Sequence, residues 1–171
     1  MIFKNISTQI DSKLAWVRLF LVCFMCLIGC AGMWSIVIIM PAIQSEFQID
    51  RSVTTIPYIL TMLGFGIGNV LVGKYVDKYG IVKPIKFAFS SLIIIYFISK
   101  FEKNIMILSF FQFVLGFASA TFFGPMMADI TKFFVKKRGL AVSMIASSQH
   151  LAGATWPFLL HFFLVEGNWR T

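Results

Sequence analysis

The 171 residues are 58% hydrophobic and only 13% charged, with a mean hydropathy of +0.85. A soluble domain carries about 25% charged residues, so a water-soluble globular protein is excluded and a membrane protein expected. The net charge of +8 arrives as Lys and Arg clusters between apolar runs and not along one soluble face. That pattern belongs to loops beside membrane spans rather than to a nucleic-acid surface, so no nucleic-acid partner is expected.

Five apolar runs follow in chain order, at residues 19–44, 52–73, 87–99, 104–128 and 139–165. The third is short and extends through Lys86 and Lys100, whose long side chains can snorkel to the interface. About 20 residues at helical rise cross a bilayer. The runs predict five transmembrane helices, near 17–43, 53–75, 85–101, 104–128 and 139–165. Continuous apolarity without alternation excludes barrel strands, so the fold class is all-α integral membrane.

Three lures lie within these runs. Cys23-x-x-Cys26, followed by Cys30, imitates a metal or redox motif. Inside a lipid-embedded helix it lacks a polar second shell, and small packing residues are the expectation, with no metal site. Leu27-Ile28-Gly29-Cys30 resembles a lipoprotein cleavage box, yet the apolar run continues to Ala42 as a span would. Gly64-x-Gly66-x-Gly68 imitates a dinucleotide loop without a preceding strand. Small residues in membrane helices let backbones approach closely, and Gly116, Ala120 and Gly124, four apart, read as a second contact stripe. A narrow wall of a solute path would have the same appearance.

Basic residues set the orientation. Eleven fall on one side: Lys4, Lys13 and Arg18; Lys74, Lys78, Lys83 and Lys86; Lys132, Lys136, Lys137 and Arg138. Four, Arg51, Lys100, Lys103 and Arg170, fall on the other. The positive-inside rule places the N-terminus in the cytoplasm.

The connection after the second run reads Gly73-Lys74-Tyr75-Val76-Asp77-Lys78-Tyr79-Gly80. Its glycines suit a tight helix-to-helix turn, and Asp77 and Lys78 suit pairing with helix ends or charges at the cytoplasmic face. This stretch resembles the signature loop of the major facilitator superfamily, with Gly73, Asp77, Lys78 and Gly80 at the motif positions. The resemblance implies that these four form a gating loop that stabilises the outward-facing state. Phe133-Phe134-Val135-Lys136-Lys137-Arg138-Gly139-Leu140-Ala141 resembles the segment leading to helix five in monocarboxylate- and oxalate/formate-type members, with Arg138 and Gly139 as its hallmark pair. Pro157 and the terminal Asn168-Trp169-Arg170 are similar to the same branch. The family is built of two six-helix halves with nested repeats. The resemblance therefore implies an incomplete N-terminal half comprising residues 1–171, whose partners are the remaining half, the bilayer of the cell (inner) membrane, a small-molecule solute and coupled protons.

The fifth run holds the densest polar set. Ser143, Ser147 and His150 recur at spacings of four and three on one helical face, with Gln149 beside them. Together with Gln112, Asn69 and Trp34 they are candidates for a substrate or proton path, since polar groups inside spans are functional by default. The competing reading is that hydroxyls satisfy backbone carbonyls and that His150 bonds a neighbouring helix. Pro125, Gly153 and Pro157 are read as helix-shaping residues, because proline removes a backbone bond that neighbours must replace. No nucleophile triad, paired carboxylates or phosphate loop is visible, so neither an enzyme nor a cofactor is expected. The expected function is secondary transport of a small organic solute, such as an organic anion, by alternating access. The alternative is a membrane scaffold or assembly subunit that binds partner helices through its glycine faces.

Overall fold

The computed structural model describes residues 10–163, and every regular element among them is helical. Lys4 and the Asn168-Trp169-Arg170 match lie outside the described residues.

The first apolar run forms two collinear helices, α1 (Lys13–Gly29) and α2 (Ala31–Phe47), interrupted at Cys30. Ser12 caps α1 by accepting a hydrogen bond from the Ala15 N–H at 3.2 Å, satisfying one of the donors a helix start leaves free. A single turn, α3 (Arg51–Thr54), precedes α4 (Ile56–Tyr79), which begins with Pro57 where a missing N–H costs nothing. Next come α5 (Val82–Ser99) and α6 (Ile105–Ser119), the latter capped by Asn104 through the Met106 N–H at 2.9 Å. A 3-10 turn over Ala120–Phe122 leads to the short α7 (Gly124–Ile130). A second 3-10 turn precedes α8 (Arg138–Phe163).

Four stretches are long and apolar enough to cross a membrane: Lys13–Phe47, Arg51–Tyr79, Val82–Ser99 and Ile105–Phe133. The helix α8, at 26 residues, has the length but falls short in apolarity, because Ser143, Ser147, Ser148, Gln149 and His150 dilute it. Large side chains such as Ile59, Leu63, Ile67, Ile93 and Phe97 point outward, as lipid-facing positions do.

Three packing centres organise the bundle, the smallest of which joins Ile36 and Ile43 of α2 to Leu108 of α6. In the first, Ala15, Leu19, Cys26 and Cys30 meet Ala141, Ile145 and Ala152, joining α1 and its continuation to α8. The cysteines act here as small apolar residues: Cys26 Sγ lies 4.0 Å from both Cys30 Sγ and the Ile145 carbonyl oxygen. In the second, Ala88, Leu92 and Ile95 of α5 meet Leu115, Ala118 and Phe122. The Phe122 ring occupies the space beside Gly29 that any side chain there would need.

The closest helix pair is α4 with α6. A Cβ on Gly64 would strike the Phe113 carbonyl, and one on Gly116 would strike the Thr61 carbonyl. At Gly68 a Cβ would fall 2.7 Å from the Phe117 carbonyl oxygen. Both glycine stripes therefore face each other, apart from Gly66, which has open space. The second stripe is not one continuous helical face, because α6 gives way to the 3-10 turn at Ala120. It still meets α4 throughout, Gly116 against Thr61, Ala120 against Gly68 and Gly124 against Asn69.

One expectation is corrected. Gly73 takes no part in a turn: α4 continues helically to Tyr79, with Val72 and Val76 buried on its inner face, and Gly73 stands in open space. Gly80 alone makes the turn, at φ +82° and ψ 167°, a conformation essentially reserved for glycine.

Candidate functional site

The polar residues of α8 divide between two faces. Ser143, Ser147 and His150 share the exposed side, while Ser148 and Gln149 turn inward beside Ala141, Ile145 and Ala152. The Ser143 hydroxyl donates to the Leu140 carbonyl at 2.9 Å, and Ser148 donates to the Met144 carbonyl at 2.8 Å. Such local bonds satisfy a hydroxyl without a neighbouring helix. They leave both lone pairs of the oxygen free to accept.

Across from α8, Trp34 of α2 packs its indole against Gly153, where a Cβ would lie 2.8 Å away. The Trp34 Nε1–H is buried without a hydrogen-bond partner among the described residues. An orphaned donor of this kind costs about 1–3 kcal/mol and is held in place by the surrounding packing. Gly153 thus shapes the α2–α8 contact through its small size. Pro157 lies inside α8, immediately after Trp156, whose Nε1 donates to the Leu27 carbonyl at 2.7 Å. This bond reaches α1 three residues before the Cys30 interruption.

Gln112 and Asn69 belong to the α4–α6 seam and do not join the α8 face. Thr61 Oγ1 lies 2.8 Å from the Pro57 carbonyl and 3.2 Å from Gln112 Oε1, sharing one proton between them. Asn69 donates through Nδ2 to the Phe65 carbonyl at 2.8 Å and accepts through Oδ1 from the Gly124 N–H at 3.1 Å. The second bond closes the helix interruption at Phe123, where φ −114° and ψ −91° break the ladder. Pro125 follows in the first turn of α7, where its lack of an N–H is tolerated.

At the end carrying the basic clusters, Asp77 and Lys78 are exposed on the last turns of α4. Lys78 Nζ lies 5.1 Å from the Tyr79 ring centroid, and Asp77 forms no ion pair among the described residues. Arg138 opens α8 and Gly139 has open space around it. Part of the basic cluster rests on aromatic rings, with Arg18 4.5 Å over Phe133 and Lys137 5.4 Å over Trp16.

Two contacts have partners that no local pattern in the sequence identifies. Asp11, at φ +51°, donates its N–H to the Phe133 carbonyl at 3.0 Å and accepts the Lys136 N–H on Oδ2 at 3.0 Å. This clasp ties the N-terminal segment to the connection before α8. Ser35 and Tyr96 share a 2.7 Å hydrogen bond between α2 and α5. The intramembrane position of Tyr96 could have signalled that it needs a partner.

Comparison with known proteins agrees with this architecture. A family profile described as Major Facilitator Superfamily matches residues 22–171. The chain is 29% identical over 130 residues to the Ascochitine biosynthesis cluster MFS transporter of Didymella fabae, covering 73% of this chain and 25% of that protein. It is 26% identical over 140 residues to the Citrinin biosynthesis cluster MFS transporter mrr1 of Monascus ruber, covering 74% of this chain and 26% of that protein. A Citrinin biosynthesis cluster MFS transporter of Monascus purpureus, ctnC, matches at 26% identity over the same length. The chain thus spans about a quarter of the length of the curated relatives it matches. With a match over most of its length and several helices fit to cross a bilayer, the chain belongs to the Major Facilitator Superfamily.

Proposed function

We propose that this chain is the N-terminal part of a secondary transporter that moves a small organic solute by alternating access. Organic anions, in the manner of the monocarboxylate and oxalate/formate branch, are the preferred solute class, coupled to protons or to counter-solute. The protein would sit in the cell (inner) membrane with its N-terminus in the cytoplasm and α8 as a fifth span. The observation that carries the reading is the α8 face: Ser143, Ser147 and His150 aligned and exposed on a helix otherwise fixed to α1 and α2. Polar groups on a span are costly in lipid and gain a purpose where a second half encloses them around a solute path.

In this reading Gly73, Asp77, Lys78 and Gly80 form a cytoplasmic gate. Gly80 ends α4 abruptly and leaves the Asp77 carboxylate free to engage the missing half in one of two states. A ligand-driven switch requires such a differential contact. Arg138 and Gly139 mark the start of the fifth span, and the aromatic seats of Arg18 and Lys137 hold that end in place.

The test is solute uptake in liposomes by the chain joined to its second half, using labelled small organic acids. Saturable uptake that falls with Asp77→Asn, while membrane insertion is unchanged, supports the reading. Wild-type uptake by that variant would reduce Asp77 to a solvated charge. Saturable uptake by the 171-residue chain alone would replace the two-half reading with a small oligomeric carrier.

A further inference from the structure

A groove of about 450 Å³ opens on the outer surface between α4, α5 and α6, away from the α8 face. Its origin lies in the helix arrangement: α4 and α5 pack on α6 and on the 3-10 turn after it, but scarcely on each other. The wedge between them is floored by Val72, Pro84 and Thr121, all buried. Its lips are Leu71 and Phe87, which are half or more exposed. In water such a slot would be an unfavourable apolar surface. In a bilayer it would lose dispersion contacts if left empty, which favours an apolar occupant.

The groove is not apolar at every point. Lys83, in the first turn of α5, stands at its margin and forms no ion pair among the described residues. Tyr75, another lining residue, stacks with Tyr79 at 4.8 Å between ring centroids. Tyrosines concentrate at the level of lipid headgroups, a depth that also suits the ammonium of Lys83 at the start of α5. Around it, Lys74, Lys78 and Lys86 outnumber the single carboxylate of Asp77 between residues 73 and 86.

We propose that this groove is a binding site for an anionic phospholipid, with one acyl chain lying over Val72, Pro84 and Thr121 and the phosphate against Lys83. The charge of the site selects the headgroup, and the apolar slot between packed helices distinguishes a site from a general basic surface. The inference requires only that the chain is embedded in a bilayer. It is independent of whether the complete protein transports anything.

The chain, purified and placed in phosphatidylcholine nanodiscs, would be exposed to phosphatidylglycerol or phosphatidylcholine bearing a photoactivatable acyl chain. Labelled residues would then be mapped by mass spectrometry. The expected result is labelling centred on Leu71, Phe87 and Phe117, with phosphatidylglycerol favoured roughly fivefold, the ratio one surface lysine confers. Lys83→Gln should abolish the preference and leave phosphatidylcholine labelling unchanged. Leu71→Trp, a change at an exposed lip, should obstruct the slot and reduce labelling by both lipids. Equal labelling by the two headgroups, a preference that survives Lys83→Gln, or labelling spread evenly to Ile93 and Phe97 would overturn the proposal. Disappearance of the label once the second half is present, with no effect of Lys83→Gln, would overturn it in favour of a protein occupant.

Discussion

The α4–α6 seam and the α8 face solve opposite problems with similar residues. In the seam, Gly64, Gly68 and Gly116 bring two backbones into direct contact, and Thr61, Gln112 and Asn69 spend their polar atoms on one another or on freed backbone groups. On α8, Ser143, Ser147 and His150 stand on the side away from the packed core. Lipid supplies no hydrophobic force between helices, so shape and hydrogen bonds must hold the seam together. The seam pairs its polar groups across two helices, whereas the exposed α8 face bonds Ser143 only to its own helix, at the Leu140 carbonyl, among the described residues. Stability belongs to the first region and the candidate chemistry to the second.

The largest effect is expected from adding bulk to the seam. Gly116→Val would drive a branched side chain into the Thr61 carbonyl, a backbone group that cannot step aside, and should cost about 3 kcal/mol or more. Loss of the monodisperse species on size-exclusion chromatography would register it, while normal yield would show that the helices can separate freely. Gly66→Ala, into open space two residues from Gly64, should be neutral or stabilise by up to about 1 kcal/mol in the same assay.

Next comes Asn69→Ala, which leaves the Gly124 N–H without its acceptor and should cost about 1–3 kcal/mol in detergent unfolding. Asn69→Asp keeps an acceptor at that position and should lose less. Equal losses would mean that packing, and not the hydrogen bond, fixes the interruption. Trp156→Phe removes one indole bond to Leu27 and should cost about 1 kcal/mol by thermal shift. The smallest structural effect belongs to His150→Ala, expected within about 0.5 kcal/mol of the parent because the side chain is exposed. The same change should depress uptake by the complete protein. A variant that destabilises without affecting uptake would move His150 from the second region to the first.

What was legible in the sequence follows from the range of the forces involved. Unbroken apolarity marked the four stretches fit to cross a membrane, and a period of 3.6 residues placed Ser143, Ser147 and His150 together, because both are properties of a single helix. The fourth run, expected as one helix over residues 104–128, instead breaks at Phe123, just before Pro125, which by sequence reads only as helix-shaping. The interruption at Cys30 has no proline to announce it. It coincides with the Phe122 ring seated on Gly29 and the Trp156 bond to Leu27, contacts between residues about a hundred positions apart. The Asp11 clasp depends on an equally distant partner. Gly73 misled for the converse reason: glycine permits a turn but does not compel one, and the burial of Val72 and Val76 carried the helix onward.

The interruption at Phe123 also bears on mechanics. A continuous helix transmits a push along its axis and a twist about it with little loss, because each turn is bonded to the next. Here α6 and α7 meet across a 3-10 turn and a bent residue, and a side chain from α4 holds the joint. Torque applied to α7, through the connection that Asp11 grips, would be taken up at that joint instead of reaching α6. The α7 end of the fourth apolar run is thereby jointed to the α4–α6 seam and not continuous with it, and Asn69 of α4 is the pin of that joint.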